Sequence, residues 1–100
     1  MKLLHITFQN QYTDTIAGIL SRHELCEYTV HIRTEGHDRD GKHNGSKAFP
    51  GHLAVIHVQT PDDKVDEVFE DLRNFQQESK AHQHLEALVL PVEKRLNGEG

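Results

Sequence analysis

From Lys2 to Phe8 the chain sets Leu4, Ile6 and Phe8 on one side of an extended segment and Leu3, His5 and Thr7 on the other, which predicts a strand. The period then changes. Ile16, Ile19, Leu20 and His23 recur at helical spacing over Tyr12–His23, with Thr13 and Asp14 as start signals. Glu27–Thr34 returns to alternation, with Tyr28, Val30 and Ile32 against Thr29, His31 and Arg33. Segment Gly36–Gly51 breaks every pattern: four glycines, one proline and mixed charges predict a long loop. His52–Gln59 is a third strand. Thr60-Pro61-Asp62-Asp63 then predicts a helix start, with Thr60 as N-cap, Pro61 at the first helical position and acids in the first turn. The second helix carries Val65, Val68, Phe69, Leu72 and Phe75 on one stripe. Gln76–His84 is a polar connection, and Leu85–Val92 is a fourth strand.

Strand, helix, strand, strand, helix, strand is the α+β, ferredoxin-like β-α-β-β-α-β order, in which both helices cover one face of the sheet. The other face of such a sheet normally alternates to polar residues. Here Leu53–Ile56 and Ala87–Leu90 are apolar at successive positions, so both faces carry apolar side chains. Burial against further copies of the chain is the simplest remedy, and a chain of 100 residues gains by it. That length fits one domain over residues 1–96, with 97–100 as a flexible tail.

Eleven Lys and Arg against sixteen Asp and Glu give a net charge of −5, the wrong sign for a protein that lives on nucleic-acid phosphate. With no Trp and only 6% aromatic residues, a base-stacking surface is also disfavoured. No apolar run approaches the roughly 18–20 residues of a membrane span. The single Cys26 cannot form an internal disulfide, which suits a reducing cytoplasm.

The loop concentrates His37, Asp38, Arg39, Asp40, Lys42, His43, Ser46 and Lys47 among glycines. Two readings stand side by side: cations and backbone amides gathered around phosphate oxygens, or a solvated surface loop. Neither a P-loop nor a dinucleotide fingerprint is present. A third reading is a transition-metal site from His37, His43 and His52 with Asp38 or Asp40, although the spacing matches no zinc pattern. His82 and His84 either line a cleft between subunits or decorate a loop. Ser21, Ser46 and Ser79 have no readable His–Asp partnership, and the acids of the second helix read as a solvated face. The expectation is a protein without enzymatic activity.

Four motifs, in order along the chain, resemble the PII signalling superfamily. Glu27-Tyr28-Thr29-Val30 is similar to that family's second strand, and Gly36–Gly51 occupies the place of its T-loop. Thr60 to Val68 resembles the opening of its second helix, and Val89-Leu90-Pro91-Val92-Glu93 the end of its fourth strand. The resemblance runs from Lys2 to about Arg95. It implies a homotrimer with a cleft between each pair of neighbours that takes ATP, ADP or AMP as an effector, with no cofactor. It also implies a loop that docks on a transporter, an enzyme or another regulator. Carried over, Thr29 bonds the adenine edge, and Gly36 and His37 lie beside ribose and phosphates. Arg39 and Lys47 meet phosphate charge, His84 faces the cleft, and Arg95 stands in for an arginine of the C-terminal segment. Asp40, Lys42, His43 and Phe49 form the partner-binding part of the loop.

The departures from the nitrogen-regulating members are specific. The loop has no tyrosine, and Gly51 stands where those members carry the lysine that pairs with 2-oxoglutarate. Ser79–His84 replaces their glycine-rich phosphate loop. The resemblance therefore points to a PII-like branch that reports adenylate state, with Mg²⁺ and a small second effector such as bicarbonate left open. The alternative is a CutA-like trimeric metal module that uses the loop histidines.

Overall fold

The structure is a computed structural model and describes residues 1–33, 36–38, 41–43 and 53–96. Its strands are β1 (Lys2–Gln9), β2 (Tyr28–Arg33), β3 (Gly36–Asp38), β4 (Gly41–His43), β5 (Leu53–Thr60) and β6 (Glu86–Pro91), and its helices are α1 (Thr13–Arg22) and α2 (Val65–Gln77). Four strands form one antiparallel sheet in the order β2-β5-β1-β6, so the first and third long strands are central. This is the ferredoxin-like order expected from the sequence.

Alternation decides the layers. Leu4, Ile6 and Phe8 of β1 and Ala54, Ile56 and Val58 of β5 are buried under the helices. Ile16, Ile19 and Leu20 of α1 and Val68, Leu72 and Phe75 of α2 close over them. Each large apolar side chain so buried contributes about 1.5–3 kcal/mol relative to exposure. On the other face Val55 is buried within the sheet surface, while Leu88 and Leu90 remain 46% and 45% exposed. The open face is therefore partly apolar, as its sequence predicts.

Helix α1 ends in a Schellman motif. Leu25 donates its backbone N–H to the Leu20 carbonyl at 2.9 Å and Glu24 to Ser21 at 3.0 Å. Glu24 makes this turn with φ of 62°, a left-handed conformation that a glycine adopts at lower cost. The Lys64 ammonium donates to the His23 carbonyl at 2.7 Å, placing a cation at the same helix terminus.

Three local expectations are corrected. Thr60 does not cap α2. It closes β5 fully buried, and its hydroxyl has no hydrogen-bond partner among the described residues. Pro61 and a 3₁₀ turn over Asp62–Lys64 intervene before the helix. The first helix starts one residue after Tyr12, and the Thr13 hydroxyl donates backwards to the Asn10 carbonyl at 2.7 Å instead of capping forwards. Within the 36–51 segment β3 and β4 pair antiparallel, Gly36 opposite His43 and Asp38 opposite Gly41, so part of the expected loop carries a ladder.

Candidate functional site

A cleft of about 700 Å³ opens at the edge of the sheet where β1 begins. Its walls come from Met1 and Leu3, the Glu24–Glu27 connection, Tyr28 and Thr29 of β2, His57–Gln59 of β5, and Arg95 beyond β6. Two residues singled out from sequence, Thr29 and Arg95, thus line one cleft. The α1 cap shapes the wall, because the left-handed turn at Glu24 sends Leu25 into the core and leads the chain through exposed Cys26 and Glu27 into β2. The amino terminus donates to Asp62 at 2.6 Å, and this bond holds the Asp62 carboxyl below its ordinary value.

Beside Thr29 lies a feature that the sequence does not announce. The register pairs Thr29 with His57, His57 with His5 and His5 with Leu88, a row that crosses all four strands on the open face. His57 Nε2 and His5 Nδ1 are 3.0 Å apart, a hydrogen bond in which one ring donates and the other accepts. His31, two residues along β2, meets the His57 ring edge-on at 5.4 Å between centroids. Burial, then the neighbouring His5 and His31, hold the His57 pKa below its ordinary 6.5. Of these three imidazoles His57 lines the cleft, and His5 and His31 contact it. The signal for them was alternation: His5 and His31 fall on the open faces of their strands, but only the register brings them to His57.

The remaining predicted residues lie elsewhere. Arg33 pairs with Leu53 and Leu53 with Gln9, so the chain departs for β3 and returns from the loop at the far end of the sheet from the cleft. Gly36 and His37 stand on β3, and Lys42 and His43 on β4. Arg39, Asp40, Lys47, Phe49 and His52 lie outside the described residues. His84 is exposed, two residues before Glu86, which pairs with Thr7. Arg95 follows Pro91, which pairs with Lys2. Within one chain the candidate residues therefore divide into two sets: the Thr29 row, level with His5, and the Gln9 row where the chain leaves for the loop are four residues apart along β1, roughly 13 Å at 3.3–3.4 Å per residue.

His82 does not face the cleft. Its ring stacks on Phe75 at 3.9 Å and 7°, meets Tyr12 edge-on at 4.8 Å, and donates from Nδ1 to the Phe75 carbonyl at 2.7 Å. Among the described residues no group of three or more His, Cys, Asp or Glu side chains could hold a metal ion, and no helix is long and apolar enough to cross a membrane.

No family model and no curated protein matches the chain. Solved structures do. A nitrogen regulatory PII-like protein from Thiomonas intermedia K12, bound to ADP, AMP and bicarbonate, aligns with a TM-score of 0.69 at 18% identity over 89% of this chain and 88% of its own. The same protein bound to ADP, AMP and acetate gives 0.67 at 20% identity over 89% and 82%. A DUF3240 family protein from Shewanella baltica OS155 gives 0.70 at 15% identity over 96% and 93%. The chain has the PII-like fold. In this PII-like fold the cleft holding Thr29 and Arg95 opens where β1 begins, and the chain leaves β2 for β3 toward the other end of the sheet.

Proposed function

We propose that this chain is a PII-like signal-transduction protein that binds an adenine nucleotide in clefts between copies of itself. The observation that carries the reading is the division of the candidate residues. Thr29 and Arg95 share a cleft at one end of the sheet, while the 36–51 segment and His84 leave from the other. Two neighbouring copies, each supplying one set, would close around one ligand between them. The exposed Leu88 and Leu90 on the open face favour such assembly, for which we propose a homotrimer. The Thiomonas relative of the same fold is bound to ADP and AMP, which supports an adenylate as the ligand here. The protein acts in the cytoplasm as a regulator without catalytic activity, and its 36–51 segment docks on a partner such as a membrane transporter.

Calorimetric titration with ATP, ADP and AMP, after bound nucleotide has been stripped, tests the reading. Saturable binding with up to one site per chain is expected. Arg95→Ala removes a charge-assisted contact and should weaken binding by about 1.5–3 kcal/mol, roughly tenfold to a hundredfold. Thr29→Val should cost about 1 kcal/mol. Heat from none of the three adenylates, at protein concentrations that reveal weak binding, overturns the reading.

A further inference from the structure

We propose that His57, coupled to His5 and His31, makes ligand binding in this cleft proton-linked, so that a phosphorylated ligand enters together with up to one proton per chain. The inference rests on the nucleotide reading above and names a regulation of that site.

The cleft's own charges motivate it. Glu24 and Glu27 contribute two carboxylates, Arg95 one guanidinium, and the terminal ammonium is already engaged by Asp62. This balance is poor for a phosphate anion. Among the described lining residues, His57 is the imidazole that can add a positive charge there. The element beside it on each side also presents an imidazole, His5 from β1 and His31 from β2. Thr29 and Leu88 complete the row and do not titrate in this range, and the carboxylate of Glu86 lies opposite Thr7, one row away.

The geometry also sets the stoichiometry. At 3.0 Å, the His57–His5 pair needs one ring nitrogen bare to accept. One added proton makes an imidazolium–imidazole pair, a charge-assisted hydrogen bond that is stronger than the neutral one. A second proton leaves two N–H groups facing each other and two like charges in contact, so the pair resists it. In the empty cleft, burial and the neighbouring rings keep His57 neutral near pH 7. A phosphate drawn by Arg95 into the cleft that His57 also lines reverses that preference. By linkage, binding takes up a proton, and affinity rises as pH falls toward the depressed midpoint that His57 has in the empty cleft.

Calorimetry of the full chain with ADP at pH 7.5, 6.5 and 5.5, in buffers of different ionisation enthalpy, measures the protons exchanged. The ligand's own phosphate titrates near pH 6, so the decisive quantity is the difference between the native chain and His57→Gln. The native chain should take up more protons than the variant, by a fraction approaching one. Its affinity should steepen with falling pH by up to about tenfold per unit relative to the variant. His31→Gln lies outside the cleft and removes a like-charge neighbour, so it should move the uptake window to higher pH. If His57→Gln fails to fold, imidazole resonances of the native protein give the same answer: the His57 midpoint should rise when ADP is added. Binding with equal proton uptake in native and variant chains, or an unmoved His57 midpoint, overturns this inference and leaves nucleotide binding intact. Absence of adenylate binding overturns both.

Discussion

On the helix side of the sheet the His82 ring lies flat on Phe75, edge-on to Tyr12, with Nδ1 committed to a carbonyl. His23 there reaches Asp71 at 2.7 Å, tying the end of α1 to α2. On the open side His57 bonds to another imidazole and borders a cleft. Both groups are the same residue type, one packed with the helices and the other on the open face of the sheet. The helix-side rings have partners with fixed roles, so their work is to hold the fold. The open-side rings have partners that can also gain or lose a proton, so their bonding depends on conditions. Histidine count alone does not distinguish scaffold from chemistry here; the partners do.

The contrast can be broken most severely at His82. His82→Ala removes a stacked ring pair and a hydrogen bond together, and should lower stability by roughly 2 kcal/mol in denaturant unfolding. An effect under a few tenths would show that the stack is incidental. His23→Ala should cost less, about 1 kcal/mol, because the clasp with Asp71 is partly open to water. The Asp71→Ala, His23→Ala double variant should lose little more than either single variant. The smallest expected effect sharpens the other half of the contrast. The pKa of His57 is depressed below 6.5, so the unfolded chain takes up a proton before the folded one does. Stability is therefore full above about pH 6.5 and declines as pH falls below it. His57→Gln should show a shallower decline between pH 7.5 and 5.5, with little change at the upper end. Asp62 titrates below 3.8 and does not enter this window.

The core could be read from the sequence because burial imposes a period. Leu4, Ile6 and Phe8 alternate, and Val68, Leu72 and Phe75 recur at helical spacing, so each predicts its own layer. Thr60 misled because Thr-Pro-Asp-Asp has cap chemistry, yet the strand pairing of Thr60 with Lys2 takes precedence over a local capping preference. Segments Gly36–Asp38 and Gly41–His43 have no apolar alternation to betray strands; their ladder is a matter of backbone pairing. The stacking of His82 on Phe75 was not legible because it depends on how the chain turns between α2 and β6. Thr29 and Arg95 were found by resemblance, but their shared cleft depends on tertiary placement. The histidine trio needed the register of three strands, which no single strand's pattern contains.

The division of the candidate residues into two sets along the sheet has a genetic consequence. A chain damaged at Thr29 keeps a sound loop end, and a chain damaged in the loop keeps a sound Thr29 end. Mixed in the proposed homotrimer, such chains would complement: one junction would bring the two sound ends together, and another the two damaged ends. Two alleles, each inactive alone, would then restore part of the binding when expressed in the same cell.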